Sequence, residues 1–488
     1  MRSSGRRLAA VSLFFVCSAL LCLPFADIAL YPVEPWIELQ RMALGLLHPD
    51  VHMWRLVLPA LAQTVAFALL AVAGSALIGL ALALVFHSRF VRLLCAATRA
   101  VHEIFWGLIF MQVYGLSATT GLLAILVPFS GNFAKVFAEL LAQQSPLPSA
   151  AVARSSDRLS RYCYTLLPQA WPALLSYTRY RFECALRSST VLGFIGLPTL
   201  GFHLETAFKQ GQYDQAATLL LVFFALIGTI RYWFRPRYTL LYLAAAFWVL
   251  PASAPVESSA WLFFSEDIWP SAVRNGNWSE ALSWYHHQLF SVALPAAVDT
   301  LLLAQLALVL SGLIALLSYG WASSQLAASG VRHLGKGLLL VLRSTPELIL
   351  TFLFLLLLGP SGLPAIIALG LHNGGLIAFL LAKQSEQLVL RNDAARGLNR
   401  YVYELTPRLY ARFVDLMLYR WEVILRESAI LGLLGVTTLG FYIDSAFEEI
   451  RFDRAALLIV VTALLNIGVD SFARRVRRYC QVATLAQQ

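Results

Sequence analysis

The sequence has few charged side chains: Asp, Glu, Lys and Arg together make up 13% of its 488 residues. Hydrophobic residues make up 59%, and the mean hydropathy is +0.69. A water-soluble domain with this composition would expose large apolar patches to solvent. The composition therefore excludes a soluble protein and predicts that lipid surrounds most of the chain.

Motifs for nucleotide, disulfide and metal chemistry are also missing. No G-x-x-x-x-G-K-[ST] motif occurs, and the nearest segment, Gly335-Lys336-Gly337, lacks the spacing and the hydroxyl residue of a phosphate-binding loop, so the chain is not expected to bind ATP. The six cysteines include no C-x-x-C pair, and the histidine pairs at positions 48 and 52 and at 286 and 287 do not suit metal binding. We predict no metal and no cofactor.

Apolar stretches long enough to cross a hydrocarbon core of ~30 Å number about twelve, six in each half of the chain. They cover residues 8–30, 57–86, 94–116, 118–142, 168–190, 215–233, 238–255, 293–318, 337–358, 361–382, 408–430 and 454–473. The first has the charged start of a signal peptide, but its length and the lack of a clean cleavage site favour a retained helix. The sequence therefore predicts an all-α polytopic membrane protein.

Basic residues exceed acidic ones by ten, which in a soluble protein would suggest nucleic acid as a partner. With the N-terminus in the cytoplasm, the cytoplasmic segments carry 25 Lys and Arg residues and the opposite segments carry six. This asymmetry follows the positive-inside rule and predicts that both termini are cytoplasmic. The charge is thus explained by topology, and no nucleic-acid partner is expected.

The chain contains an internal repeat at an offset of 239 residues. YRFECALRSSTVLGFIGLPTLGF (180–202) aligns with YRWEVILRESAILGLLGVTTLGF (419–441), and at a slightly different offset LPALAQT (58–64) matches LPAAVDT (294–300). We therefore predict two parallel six-helix repeats, residues 1–237 and 238–488, with a pseudo-symmetric pore between them. An ABC importer permease, a secondary ion-coupled transporter and a membrane scaffold are all compatible with this organisation.

Charged residues recur in the fifth predicted helix of each half. They are Arg181, Glu183 and Arg187 in the first half and Arg420, Glu422 and Arg426 in the second. At a rise of 1.5 Å per residue from Pro168, Arg181 lies about 20 Å along the helix, deep in the bilayer. The Glu and the second Arg can pair at i,i+4, whereas the first Arg has no partner at that spacing and is predicted to face a water-filled path for an anionic substrate. The alternative is that these charges only hold helices together.

Glycines follow these arginines in LGFIGLPTLG and LGLLGVTTLG. Gly193, Gly196, Gly432 and Gly435 predict irregular backbone, which is tolerated in a membrane only when it is buried in protein or lines a cavity. We interpret both segments as re-entrant gates. Close helix packing at the glycines is the alternative.

A polar segment ending in proline precedes the fifth helix of each half, in SSDRLSRYCYTLLP (155–168) and AARGLNRYVYELTP (394–407). A short amphipathic helix that projects from the bilayer is suited to docking in a groove on a partner, although an ordinary solvated loop would look similar. The candidate docking residues are Arg158, Arg161, Tyr162, Ala394, Ala395, Gly397, Arg400 and Tyr401.

These motifs resemble the phosphonate-type permeases of binding-protein-dependent ABC importers. The resemblance rests on the repeated YR[FW]E-x-x-LR with its glycines, on R-x-x-x-E-[IL] at Arg99 and Arg343, and on AF-x-x-x-x-[FY]D-x-AA, and it covers most of each half. It implies a type I ABC importer permease fold, a cytoplasmic coupling helix that contacts a separate ATPase subunit, a periplasmic or lipid-anchored substrate-binding protein, and transport of a phosphorus oxyanion across the bacterial inner membrane. Family members usually have one half-unit per chain and form dimers, whereas this chain supplies both halves.

The coupling segments depart from the family pattern E-A-A-x-x-x-G. The second half keeps Ala394, Ala395 and Gly397 at a shorter spacing, with Asp393 near the acidic position, and the first half has Arg158 where Gly397 stands. We therefore expect the two segments to dock unequally.

Overall fold

The computed structural model of the protein describes residues 2–31, 35–145, 147–152, 156–251, 261–390 and 393–480. Over these residues the chain is almost entirely helical, and no β-strand occurs in them. Helices suit a chain surrounded by lipid because each backbone N–H and C=O group pairs within its own segment. The predicted all-α class is confirmed.

Twenty-three α-helices make up the described chain. Up to residue 250 they are α1 (Arg2–Cys22), α2 (Pro35–Leu47), α3 (Trp54–Leu84), α4 (Arg89–Ala100), α5 (Glu103–Tyr114), α6 (Ala118–Ala142), α7 (Leu147–Ala151), α8 (Arg158–Arg161), α9 (Leu167–Val191), α10 (Leu200–Lys209), α11 (Tyr213–Gly228), α12 (Ile230–Trp233) and α13 (Thr239–Val249). Beyond it they are α14 (Ser271–Arg274), α15 (Trp278–Gln288), α16 (Leu294–Ala322), α17 (Ser329–Ser344), α18 (Glu347–Leu358), α19 (Leu363–Ser385), α20 (Gly397–Asn399), α21 (Thr406–Ile430), α22 (Leu439–Glu448) and α23 (Phe452–Cys480).

Among the described residues, six helical stretches are long and apolar enough to cross a membrane. They are Gly5–Phe25, Val51–Leu84, Ala118–Ala142, Trp278–Ala322, Leu363–Ser385 and Phe452–Cys480. Four pairs of helices that are bent at a short break bring the number to ten if each pair forms one span. The chain is a multi-pass membrane protein, and its arrangement as two sets of six spans stays a prediction.

Two predicted spans, 94–116 and 337–358, are not continuous helices. In each, an amphipathic helix meets an apolar one at 94°: α4 with α5, and α17 with α18. Val101 and Pro346 have extended backbone at the breaks, and Pro346 has no N–H group with which to continue a helix. The predicted span 238–255 also differs, because α13 ends at Val249 and residues 252–260 lie outside the described part.

The helices form two compact units. The α3 unit contains α3 to α10, α12 and α13, and the α16 unit contains α1, α2, α11 and α14 to α23. Within the α3 unit, α3 packs on α6, α9 and α13; within the α16 unit, α16 packs on α19, α21 and α1. Equivalent helices of the repeat thus pack in the same way, but α1 and α13 each lie in the unit built mainly from the other predicted half. The repeat boundary at residues 237 and 238 stays a prediction.

Candidate functional site

The predicted charged residues lie on α9 and α21, which extend over Leu167–Val191 and Thr406–Ile430. The sequence predicted these helices at 168–190 and 408–430. Each helix has a proline in its first turn, Pro168 or Pro407, where the missing N–H group would have no helical partner in any case. Both helices are confirmed, and the charged residues occupy the same register in the two copies.

Arg181 is half-buried in the α3 unit and is held by aromatic neighbours. Its Nε donates a hydrogen bond of 2.7 Å to the Tyr177 hydroxyl, one helical turn earlier. Its guanidinium also lies over the rings of Tyr177 and Phe129, at 5.4 and 5.3 Å from their centroids. The prediction that Arg181 has no partner at helical spacing is wrong, because a phenol at that spacing accepts a hydrogen bond as a carboxylate would.

Arg420 has a different environment in the α16 unit. The residue is only 5% exposed, and its Nε and Nη2 atoms have no hydrogen-bond partner among the described residues. The repeat places Leu416 where α9 has Tyr177, and leucine has no group that accepts a hydrogen bond. A buried guanidinium is costly unless an anion or water satisfies it, so this position is suited to an incoming anion.

The other four predicted pathway residues share one environment. Glu183, Arg187, Glu422 and Arg426 are all half-buried, and each has at least one interaction partner. The pairs Glu183 with Arg187 and Glu422 with Arg426 stay predictions, as does a role of these residues in the pathway.

Both charged helices end in the same irregular turn. α9 and α21 pass into 3-10 turns at Leu192–Ile195 and Leu431–Leu434. Gly196 and Gly435 follow with φ of +90° and +84°, a left-handed conformation that favours glycine. After these turns the chain continues in α10 and α22, bent by 54° and 45° from the preceding helices. The predicted irregular backbone is confirmed, and its function as a gate stays a prediction.

The first glycine of each turn allows a close backbone contact. A Cβ atom on Gly193 would lie 2.1 Å from the Phe202 nitrogen, and one on Gly432 would lie 1.9 Å from the Phe441 nitrogen. Close packing at the glycines, the alternative to a gate, therefore also occurs. Close packing and a gate are compatible, because a tightly packed turn holds one defined conformation and a gate needs such a conformation for its closed or open state.

Two buried threonines anchor these turns, and the sequence analysis did not identify them. Thr64 Oγ1 accepts a hydrogen bond of 2.9 Å from the Leu200 backbone N–H, and Thr300 Oγ1 accepts one of 2.9 Å from the Leu439 N–H. Both threonines end the repeated LPA-x-x-x-T segment. The repetition of this segment was the available signal. A local pattern does not reveal, however, that each threonine has its hydrogen-bond partner more than 130 residues away.

The two candidate docking segments have the same backbone design. α8 leads into a π-helical turn at Tyr162–Leu166, and α20 leads into one at Arg400–Leu405, so the two copies match at the repeat offset. In the first copy, hydrogen bonds from Ser160 to the Asp157 carboxylate, including one of 2.9 Å from the Ser160 N–H, hold the pKa of Asp157 below its ordinary value. The second copy instead begins at Gly397 with φ of +61°.

Several predicted docking residues support the segment rather than project from it. Arg400 donates to the carbonyl oxygens of Ala395 (2.7 Å) and Gln325 (3.0 Å). Tyr401 stacks on Tyr319 at a centroid distance of 5.0 Å and donates to the Leu316 carbonyl. Arg161, Tyr162 and Ala394 are half-buried, Ala395 and Gly397 are exposed, and the Arg158 side chain lies outside the described part.

A leucine and a tyrosine are exposed at equivalent positions in each copy. Tyr164 is 82% exposed and Tyr403 is 75% exposed, and Leu159 and Leu398 are exposed as well. Each pair recurs at the repeat offset of 239. Large apolar side chains that recur in the open on a polar segment are typical of a contact with another protein.

The chain has relatives among characterised transport proteins. It is 24% identical over 409 residues to the phosphate-import permease protein PhnE of Mycolicibacterium smegmatis, a match that covers 78% of this chain and 75% of the relative. It is 30% identical over 149 residues to the phosphite transport system permease protein PtxC of Stutzerimonas stutzeri, covering 29% of this chain and 54% of that protein.

A third relative is matched over nearly its whole length. The putative cryptic phosphonate transport system permease protein PhnE2 of Escherichia coli K12 is 30% identical over 110 residues, which are 22% of this chain and 90% of that protein. No family model and no solved structure matches the chain. The chain belongs to the phosphonate-type permease family of binding-protein-dependent ABC importers.

Proposed function

We propose that this protein is the membrane-spanning permease of a bacterial ABC importer and forms the translocation pathway for a phosphonate, a phosphite or a related phosphorus oxyanion. The relatives transport phosphate, phosphite or phosphonate according to their names. The observation that carries the proposal is the buried guanidinium of Arg420, whose Nε and Nη2 have no hydrogen-bond partner in the described chain. A guanidinium donates paired hydrogen bonds to a tetrahedral oxyanion, and each is strengthened by the charges.

In this proposal Arg420 is the main attracting charge, and Arg181 has a weaker part because Tyr177 and Phe129 already engage it. Glu183, Arg187, Glu422 and Arg426 set the local field along the same helices. The turns at Gly193 and Gly196 and at Gly432 and Gly435 open and close the pathway, because a shift of α9 or α21 is transmitted through them to α10 or α22.

ATP is hydrolysed by a separate cytoplasmic ATPase, two copies of which dock on the two segments that carry Leu159 and Tyr164 and Leu398 and Tyr403. A periplasmic or lipid-anchored binding protein delivers the substrate from the opposite side. Both termini lie in the cytoplasm, as the distribution of Lys and Arg favours. The type I importer fold with six spans in each half belongs to the same proposal.

Reconstitution tests this function. The purified chain is inserted in liposomes with and without its ATPase and binding protein, and uptake of labelled methylphosphonate and phosphite is measured. We expect uptake only with all three components and ATP. Uptake by the chain alone, driven by an ion gradient, would identify a secondary transporter and contradict the proposal.

A further inference from the structure

A second polar cluster is buried in the α16 unit, apart from the residues of the proposed pathway. It contains Glu347 at the start of α18, His372 and Asn373 in the middle of α19, and Glu427 near the end of α21. None of the four is more than 4% exposed. Carboxylates in such a place need a compensating positive charge, because burial removes the water that would otherwise solvate them.

The orientation of His372 is fixed by backbone groups. Its Nδ1 lies 3.2 Å from the Leu342 carbonyl oxygen and 3.0 Å from the Thr345 carbonyl oxygen. Carbonyl oxygens only accept hydrogen bonds, so Nδ1 carries the hydrogen. In the neutral ring Nε2 then presents its lone pair, and it lies 3.1 Å from Glu347 Oε1. A histidine that donates Nδ1–H to a backbone carbonyl and turns Nε2 toward carboxylates is typical of a metal ligand.

The distances suit a metal ion as well. One ligand atom each of Glu347, His372 and Glu427 lies within 4.8 Å of the other two. Ligand atoms bonded to a tetrahedral zinc at about 2.0–2.2 Å lie roughly 3.3–3.6 Å from one another, so Nε2 and Oε1, which are 3.1 Å apart, need only a small shift to bind one ion.

Asn373 adds an independent observation. Its Nδ2 donates to Glu427 Oε2 at 3.0 Å, which places the amide group beside the cluster. Its Oδ1 is buried and has no hydrogen-bond partner within the described ranges. The same Nδ2 also donates to the Leu369 carbonyl oxygen at 3.1 Å. Amide oxygens can ligate divalent cations, so Asn373 carries one unused buried oxygen next to Glu427.

We propose that Glu347, His372 and Glu427 bind a divalent transition-metal ion of the zinc class, with the Asn373 amide oxygen available as a further ligand. The ion joins α18, α19 and α21 close to the turn at Leu431–Leu434. The ion stabilises the packing of these three helices, and this role does not depend on the transport function. The sequence did not predict this site because its ligands come from three separate helices and form no spaced motif.

The other repeat provides a matched control. There, Glu103 contacts His102, with 3.5 Å between His102 Nε2 and Glu103 Oε2, and accepts a hydrogen bond of 2.5 Å from Ser188. Ser188 occupies the repeat position of Glu427. The α3 unit therefore has one carboxylate where the α16 unit has two, and we expect no metal there.

Metal content tests the proposal. The purified full-length protein is analysed by inductively coupled plasma mass spectrometry, and Zn²⁺ and Co²⁺ are titrated into chelator-treated samples of the wild type, Glu427→Ser, His372→Gln and the control His102→Gln. We expect one ion per chain in the wild type and the control. In Glu427→Ser and His372→Gln the affinity for Zn²⁺ and Co²⁺ should fall by more than roughly 10–100-fold, which is the loss expected when a residue that only supports a metal ligand is changed. Glu427→Ser reproduces the residue found in the other repeat, and size-exclusion chromatography checks that each variant is folded.

X-ray absorption of the wild type loaded with Zn²⁺ is the second measurement and needs no variant. The expected first shell contains one imidazole nitrogen and two or three oxygens at about 2.0–2.2 Å. A wild type that binds neither Zn²⁺ nor Co²⁺, equal binding in all variants, or a shell without imidazole would overturn the proposal. A cluster that binds only protons would give the first of these results.

Discussion

At the scale of single residues, Arg420 gives the sharpest test of the pathway. In Arg420→Gln we expect ATP-dependent uptake to fall at least about tenfold, because the substrate loses a charged pair of donors. The melting temperature in detergent should not fall, since removing a buried guanidinium without hydrogen-bond partners at Nε and Nη2 also removes its desolvation cost. Uptake in proteoliposomes and thermal unfolding are the two measurements.

Arg181→Gln is the matched variant in the other repeat. It should lower uptake less than Arg420→Gln does, and it should lower the melting temperature, because its hydrogen bond to Tyr177 and its contact with Phe129 are lost. Tyr177→Phe keeps the ring contact and removes only the charged hydrogen bond, a loss of roughly 1.5–3 kcal/mol. If Arg420→Gln fails to fold while Arg181→Gln folds normally, Arg420 has a structural role and the pathway proposal loses its main support.

The repeat revealed which residues to compare, but it did not reveal their partners. Arg181 and Arg420 were found at equivalent positions from the sequence, yet only the structure shows that Tyr177 engages one and that Leu416 stands at that place for the other. Thr64 and Thr300 were missed for the same reason. A local pattern reports the period of a helix, whereas these contacts join segments that are far apart in the chain.

At the scale of elements, the two glycines of one turn should differ in their tolerance of substitution. A Cβ on Gly432 would lie 1.9 Å from the Phe441 nitrogen, so Gly432→Ala forces α21 and α22 apart. Gly435 has positive φ, but a Cβ there would meet no atom within 4 Å, so Gly435→Ala costs only about 1–2 kcal/mol of backbone strain. We expect a much larger loss of melting temperature and uptake for Gly432→Ala. Equal effects would show that the close contact is not what holds the turn.

The docking segments allow a similar comparison. Tyr403→Ala removes an exposed ring, so it should weaken ATPase binding with no change in melting temperature. Tyr401→Ala removes a ring that stacks on Tyr319, so it should lower the melting temperature. Binding is measured by co-purification and by the stimulation of ATP hydrolysis. Normal ATPase binding by Tyr403→Ala together with Tyr164→Ala would contradict the assignment of these segments as the docking sites.

Helix positions were predictable wherever one apolar run formed one helix. α9 and α21 begin and end within two residues of their predicted bounds. The predicted helices at 94–116 and 337–358 are each broken by a bend of 94°, which a hydropathy window averages over. The signal for the break was present in Pro346 and in the basic residues spaced along α17, which mark an amphipathic helix.

At the scale of the whole molecule, the sequence revealed the duplication. It did not reveal that α1 and α13 each pack in the unit built mainly from the other half. Equivalent helices pack alike in the two units, as α3 on α6 and α16 on α19. However, α1 packs on α16, and α13 packs on α3. Apolar helices such as α1 and α13 carry little information about their neighbours, because lipid and protein interiors are similarly apolar.

The duplication also predicts the stoichiometry of the complex. One chain carries two candidate docking segments with similar backbones, so it should bind two ATPase subunits, whereas a permease with a single such segment would need two copies for the same number. Native mass spectrometry of the complex should therefore show one permease chain with two ATPase subunits. A variant with Tyr164→Ala alone should still retain one ATPase contact, and the double variant with Tyr403→Ala should retain none. A complex with two permease chains and two ATPase subunits would mean that each chain uses only one of its docking segments. The two segments begin differently, at Asp157 in one and at Gly397 in the other, and this difference would then select the segment that binds.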